Sequence, residues 1–397
     1  MAEPAPGGDA TQRLSVAVVA EQLRRRVPGG IGTYASGLLG GLSSLTPMPD
    51  VTIVAGPVGP QGGPDPLARL PFPLEIVGGP LLAALGRVPR LGEAPDRIIS
   101  RMWDRGRLPL HRSAPLHRRA LVHSVSLAAP PTGATPLTVM VHDVAWRQVP
   151  ETYPPRGLAW HEAALRRVAR SAQGVVVPSH AVADQLRGAS VELDACRIEV
   201  IPEGCDHLAA PDTEAARLLL RRLGVTGEYL LTVSTLEPRK NLRRLLEAYR
   251  QARKGLPEPW PLLVVGPTGW GPELLPSQGV TMVGQVDDPV LSALYAGARL
   301  VAYVPLAEGF GLPAVEALAA GAPLLVSSAV PSIVEHAGPA VIVDARETAE
   351  IARALGELAT DDARRRKLAR DGQASVRGRT WAAVAQRHLQ WWAEVAG

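Results

Sequence analysis

Apolar residues in this chain fall in short unbroken runs separated by longer amphipathic or polar stretches. The first run is Leu14–Ala20 (LSVAVVA), nearly continuous rather than alternating, as expected of a strand covered on both faces of a parallel sheet. A loop holding Pro28, Gly29, Gly30 and Gly32 follows, then an expected helix from Thr33 to about Leu45. Further strands are expected at Val51–Ala55, Leu137–Val141, Gly174–Pro178 and around Ile198–Ile201, with helical patterns at Leu158–Ser171 and His180–Gly188. Strands alternating with helices predict a doubly wound parallel sheet.

The alternation then restarts. Tyr229–Val233, Pro261–Val265, Val280–Val283, Leu300–Val304 and Pro323–Val326 read as the strands of a second such sheet. Helices are expected at about Asn241–Arg253, Asp288–Gly297, Pro313–Ala320 and Thr348–Thr360. The fold class is therefore α/β, with two Rossmann-like domains over 13–208 and 209–397 joined near Cys205–Thr213, and residues 1–12 as a tail. The final helix, 381–395, carries Trp381, Trp391 and Trp392 and either caps its own domain or crosses back onto the first.

Composition refines this only in part. With 46% hydrophobic and 20% charged residues, 397 residues can build two large cores, and global disorder is excluded. The net charge of +4 suits an anionic ligand or surface without choosing between them. Cys196 and Cys205 have no metal-ligand spacing and read as free thiols of a reducing cytoplasm. No apolar run is long enough to span a membrane, and the N-terminus has no signal-peptide core. Residues 56–120 break the alternation, and Arg87–Arg119 holds nine arginines against three acids. That segment is either a solvated insertion or a surface for an anionic acceptor or lipid headgroups.

Two segments carry the chemistry. Glu308-Gly-Phe-Gly-Leu-Pro-Ala-Val-Glu316 follows an apolar strand, with Pro313 where a helix should begin. Gly309 and Gly311 allow close backbone approach, and free amides at the helix start form an anion site. Glu308 and Glu316 should flank that site, suited to sugar or ribose hydroxyls. Ser234-Thr-Leu-Glu-Pro-Arg-Lys-Asn241 also joins a strand to a helix. Its Arg239 and Lys240 stand at a helix start, where cations are disfavoured unless an anion offsets them. A diphosphate leaving group is such an anion.

The combination of Glu-Pro-Arg-Lys-Asn, Glu-Gly-Phe-Gly-Leu-Pro and a second Glu eight residues after the first resembles the retaining family 4 glycosyltransferases of the GT-B fold. Leu236–Asn241 and Val141-His-Asp-Val-Ala-Trp146 most resemble the mannosyltransferase-like branch that builds bacterial surface polysaccharides. The likeness is closest over 229–345, looser over 14–50 and 135–208, and absent over 56–120. It implies that Arg239 and Lys240 bind the donor diphosphate, that Glu308 contacts the transferred sugar, that the amides of Phe310, Gly311 and Leu312 meet sugar and phosphate, and that Glu316 binds the donor ribose.

In the N-terminal domain, Gly29-Gly-Ile-Gly32 resembles the family's glycine loop, so Gly30 and Gly32 should approach the donor phosphate and the acceptor. The same residues mimic a dinucleotide fingerprint, but Glu21–Pro28 intervene after the strand, which argues against NAD. His142 should stand beside the sugar, with His123 and Asp143 as weaker acceptor contacts. The family uses no metal and no cofactor beyond the nucleotide sugar, and this chain has no Asp-x-Asp.

Three positions depart from the pattern. Ser332 stands where the family usually has a Glu near the nucleotide, with Glu335 three residues later; Ala307 replaces an aromatic; Glu203-Gly204 replaces Asn-Gly. The resemblance implies a cytoplasmic hexosyltransferase, in contact with the membrane if the basic segment meets lipid. Its donor is expected to be GDP-mannose, and its acceptor a glycan, a lipid-linked glycan or a small molecule; no nucleic acid is expected. A UDP-sugar transferase, a nucleotide-sugar epimerase and a non-catalytic sugar-binding scaffold are the other readings.

Overall fold

The computed structural model describes residues 14–25, 27–56, 65–77, 119–188, 196–271, 274, 277–336 and 338–397. Two all-parallel sheets organise them. The first holds β1 (Ser15–Val19), β2 (Asp50–Ala55), β3 (Leu74–Ile76), β4 (Leu121–Ser124), β5 (Leu137–Met140), β6 (Gly174–Val177) and β7 (Arg197–Val200), in the order β3-β2-β1-β4-β5-β6-β7. The second holds β8 (Leu230–Val233), β9 (Leu262–Val265), β10 (Val280–Gly284), β11 (Leu300–Tyr303), β12 (Leu324–Ser327) and β13 (Val341–Val343), in the order β10-β9-β8-β11-β12-β13.

The central strands are buried on both faces, which is why they read as continuous apolar runs. Each sheet lies between two hydrophobic clusters formed with its flanking helices. Strand order reverses between β1 and β4 and between β8 and β11. Loops leaving the ends of neighbouring strands diverge there and leave a crevice. The loop after β8 is the basic turn, and the loop after β11 is the Glu308 segment. The loop after β1 is the glycine segment, and His142 follows β5.

Three sequence expectations need correction. The first helix runs Gly29–Ser43, starting four residues before Thr33. Glycine is a weak helix former, but Gly32 packs so closely under Pro28 that a Cβ would lie 2.2 Å from the proline ring. The 56–120 stretch is also not wholly irregular. β3 pairs in register with β2, and Arg119 forms ion pairs with Asp50 at 3.1 Å and Glu75 at 3.7 Å. The rest of the arginine-rich stretch, 87–118, lies outside the described residues. Thirdly, Leu121–Ser124 forms β4 next to β1, a strand that the apolar runs do not predict.

The final helix, Trp381–Ala396, lies against the first domain. Glycines make room for its tryptophans. A Cβ on Gly37 would lie 2.1 Å from the Trp381 ring, one on Gly41 would lie 2.1 Å from the Trp381 carbonyl oxygen, and one on Gly174 would lie 2.8 Å from Trp391. Trp392 is fully buried beside His123 and His388. Both cysteines are free thiols, and burial pushes Cys205 up to about 11. No helix among the described residues is long and apolar enough to cross a membrane.

The glycine–tryptophan seam makes a paired prediction. Gly41→Ala must displace backbone, so urea unfolding should show a loss of about 2 kcal/mol or more. Gly40→Ala, next to it on the exposed side with nothing within 4 Å, should instead gain roughly 0.5–1 kcal/mol by stiffening the helix. Equal midpoints for the two variants would contradict the packing described.

Candidate functional site

The basic turn is pinned by contacts within the protein. Pro238–Lys240 form one 3-10 turn, and Asn241 follows in the left-handed region at φ 59°, the only non-glycine residue with positive φ among the described residues. Asparagine tolerates that conformation better than most side chains. Its amide nitrogen donates to the carbonyls of Val304 at 3.0 Å and Ala345 at 2.7 Å, tying the turn to the end of β11. Arg239 Nη1 donates to the Ala307 carbonyl at 2.9 Å. The two segments picked out in the sequence therefore lie side by side.

A buried charge cluster joins them. The Glu308 carboxylate meets Arg239 at 3.1 Å, takes a hydrogen bond from the Tyr303 hydroxyl at 2.5 Å, and pairs closely with Lys240. Lys240 also reaches Tyr303 Oη at 3.0 Å, and Arg239 Nη2 donates to Glu237 at 3.1 Å. Burial alone would raise the Glu308 pKa, but the two cations overcome it and hold it down at about 2. Glu237 is pushed up, first by burial and then by Glu308, against the pull of Arg239 and Lys240. Two buried polar atoms here have no protein partner: Arg239 Nε and Ser234 Oγ. Unpaired buried donors are uncommon and call for explanation.

Gly309 and Gly311 earn their places sterically. A Cβ on Gly309 would lie 1.6 Å from the His142 carbonyl oxygen of the other domain. Only glycine allows the two backbones to meet there. Gly311 sits at φ 97°, and a Cβ on it would press Val330 at 2.5 Å. It precedes the helix Leu312–Ala319, whose first residues Leu312 and Pro313 line the crevice. Phe310 is buried beneath it, and Glu316 lies one turn into that helix. Glu316 accepts from Tyr295 Oη at 2.9 Å and is 3.0 Å from His207 Nε2.

The first domain closes the crevice. Gly30 faces Leu312, with a Cβ position 3.9 Å from its side chain, so the starts of the helices Gly29–Ser43 and Leu312–Ala319 oppose one another. His142 lines the space, but both ring nitrogens are engaged: Nε2 donates to the Val125 carbonyl at 2.9 Å, and Nδ1 lies 3.3 Å from Glu203. Asp143 accepts from the Ala145 amide at 3.0 Å, shaping its loop, and also lines the crevice. The crevice has a volume of about 420 Å³. A larger hollow of about 1000 Å³ lies outside the basic turn and shares Glu237 and Trp270 with it.

His123 does not belong to this site. It is fully buried and hydrogen-bonds Tyr34 at 3.1 Å and Thr138 at 3.0 Å, and burial lowers its pKa well below the usual range. The acceptor role expected of it is withdrawn. Residues the sequence reading missed include Tyr303, Glu203, Tyr295 and His207. Tyr303 closes a strand and Glu203 sits in the altered Asn-Gly turn, but nothing in their spacing says which partner they meet.

The Glu335 side chain does not line the crevice. Its carboxylate accepts from the amides of His180 at 3.0 Å and Ala181 at 2.6 Å, capping a helix of the first domain. Ser179 Oγ donates to the Gly309 carbonyl at 2.7 Å, and Trp270 Nε1 donates to the Thr152 carbonyl at 3.2 Å. These contacts hold the domains closed over the site.

Family models match both halves: "Glycosyltransferase Family 4" over residues 28–209 and "Glycosyl transferases group 1" over 222–375. Among curated proteins, the chain is 29% identical over 255 residues to the O-antigen chain mannosyltransferase B of Escherichia coli, covering 60% of this chain and 65% of that one. It is 33% identical over 215 residues to the D-inositol 3-phosphate glycosyltransferase of Salinispora tropica, covering 48% and 44%. The chain thus spans about half to two-thirds of these relatives. Solved structures share the fold. HepE of Anabaena, solved with UDP and glucose, superposes with TM-score 0.68 at 19% identity over 96% of this chain and all of that one. Sucrose-phosphate synthase of Thermosynechococcus elongatus gives 0.71 at 18% identity over 96% and 99%.

The charge cluster sets a pH dependence. A carboxyl whose pKa falls from 4.5 unfolded to about 2 folded stabilises the fold fully above the higher value and loses that contribution as pH drops toward the lower. Glu308→Gln should therefore lose less stability than the parent between about pH 5 and pH 2.5, followed by denaturant unfolding at each pH. Parallel acid profiles for the two proteins would contradict the assigned shift.

Proposed function

We propose, from the premise that the chain belongs to the group 1 and family 4 glycosyltransferases, that it moves a hexose from a nucleotide-diphosphate sugar to an acceptor hydroxyl with retention of configuration. One observation carries the reading. Two opposed helix starts, Arg239, Lys240 and two residues with an unpartnered buried donor, Arg239 and Ser234, line one crevice. Helix-start amides and fixed cations are what a pyrophosphate requires, and Arg239 Nε and Ser234 Oγ gain partners when it binds.

In this mechanism the donor lies along the second domain, with its ribose at Glu316 and its diphosphate between the two helix starts. Glu308 accepts hydrogen bonds from hydroxyls of the transferred sugar. The bond from the anomeric carbon to the phosphate oxygen breaks, and the charge it leaves is met by Arg239, Lys240 and the amides, already in place. The acceptor oxygen forms the new bond from the same face, and its proton passes to a phosphate oxygen of the leaving group. No side chain becomes covalently attached. His142, tethered by Val125 and Glu203, shapes the sugar's side of the crevice. The closed domains exclude the water that would otherwise hydrolyse the donor.

Mannose carried by GDP is the favoured donor, supported by the likeness to the E. coli mannosyltransferase. A UDP-sugar is the second reading, favoured by the shared fold of a protein solved with UDP. The reaction belongs to glycan or polysaccharide synthesis, with the cations supplied by the protein. The expected setting is the cytoplasmic side of the membrane, where a lipid-linked acceptor would be reached.

Thermal stabilisation by a panel of nucleotide sugars tests the donor, because a ligand that binds only the folded state raises its melting point. GDP-mannose should shift it selectively, and a response to UDP compounds alone would replace guanine by uracil. Lys240→Ala should cut turnover by about 10²–10³-fold while the protein stays folded, the scale seen when one preorganised charge-stabilising group is removed. Turnover near that of the parent would refute the diphosphate site, and anomeric analysis of the product would show whether configuration is retained.

A further inference from the structure

The domains are joined by two chain crossings, and the structure laces them together. One is the linker at Glu203–Leu208, and the other is Arg379–Trp381, which leads into the final helix. The Cys205 amide donates to the Arg379 carbonyl at 2.9 Å, and the Trp381 amide donates to Asp206 Oδ1 at 2.7 Å. Gly204 lies under Trp381, where a Cβ would sit 2.8 Å from its backbone nitrogen. His207 stands at the end of this lacing with one ring nitrogen on each side of the hinge.

Its tautomer follows from its neighbours. The indole N–H of Trp381 can only donate, and it points at Nδ1 over 3.2 Å. Nδ1 must therefore offer a lone pair, which leaves the hydrogen on Nε2, and Nε2 faces Glu316 Oε1 at 3.0 Å. The other Glu316 oxygen accepts from Tyr295, itself fully buried. The carboxylate is thus held by one donor on each oxygen, with its remaining lone pairs open to the crevice that Glu316 lines. Protonating the ring would put a hydrogen on Nδ1 and cost the Trp381 contact; burial opposes this, but the Glu316 contacts outweigh burial and raise the ring's pKa, so the Nε2–H tautomer is the form of alkaline solution.

We infer that His207 is a positioning residue for nucleotide recognition: Trp381 fixes it in the Nε2–H tautomer, and it aims the Glu316 carboxylate at the two ribose hydroxyls of the donor. The inference rests on the donor reading above and deepens it, because it ties ribose recognition to the hinge. A carboxylate held at both oxygens meets a diol in one orientation. Released on one side, it turns toward Tyr295 and loses the pair.

The test compares binding of GDP and UDP with that of their 2′,3′-dideoxy counterparts by calorimetry at pH 8, on the full chain. The parent should prefer the ribose form of its nucleotide on the order of tenfold, the scale of one hydrogen bond to a charged group. His207→Ala should reduce that preference to about twofold while leaving the dideoxy affinity unchanged, a selective loss that general weakening of the fold does not produce. His207→Gln, which returns a donor at similar reach, should restore most of it. If the alanine variant does not fold, Trp381→Phe carries the test, since it keeps a ring on Gly37 but removes the N–H; undiminished ribose preference there overturns the inference. Binding by the parent with full preference retained in a folded His207→Ala overturns His207's role alone. No binding of either nucleotide by the parent overturns the donor reading, and this role with it.

Discussion

The Glu308 carboxylate, held between Arg239 and Lys240 at the floor of the crevice, is the interaction around which the molecule is arranged. Burying three charges is costly, and apolar residues of similar volume often serve stability as well or better. The pairing is possible because β8 and β11 are adjacent strands at the point where strand order reverses. Their loops emerge side by side, and Asn241 ties one to the other through two carbonyls. The two cations are neutralised within the cluster by Glu308 and Glu237. Strongly shifted groups concentrated in a crevice are the usual mark of function.

The fold was legible where burial is complete and obscure where it is partial. Strands such as β8 and β11 announce themselves as unbroken apolar runs because both of their faces are covered. β4 was missed because His123 and Ser124 interrupt its pattern, although both are buried. β3 and β13 are three residues long and partly exposed, too short to show a period. The helix start at Gly29 is fixed by close packing against Pro28, which propensity does not record. In the site, motif residues came together as their spacing suggested, but partnerships between distant segments did not show. Nothing in a one-dimensional string says that His207 meets Glu316, or that Tyr303 meets Glu308. His123 was misplaced for the same reason: a histidine beside a strand end looks alike whether it faces a crevice or a core.

The departures from the family pattern become intelligible in three dimensions. Ser332, in place of a glutamate, is buried with its hydroxyl unpartnered, and its Oγ lies 3.6 Å from the position a Cβ on Gly311 would take. The carboxylate three residues on, Glu335, instead caps a helix of the opposite domain. Together with the Gly309–His142 approach, this makes the two domains complementary at backbone level. The crevice is narrow because two main chains touch, with no side chains between them.

The tryptophan helix has a consequence for how this protein comes into being. On a ribosome the first domain emerges early, and domains ordinarily fold in that order. Here Trp381, Trp391 and Trp392 belong to the hydrophobic cluster of that first domain, yet they are translated after the whole of the second sheet. The earlier half must wait, with the grooves beside Gly37, Gly41 and Gly174 unfilled, until the later half has been made. The first domain is not finished alone, and the order of synthesis leaves it dependent on whatever shields its open seam in the meantime.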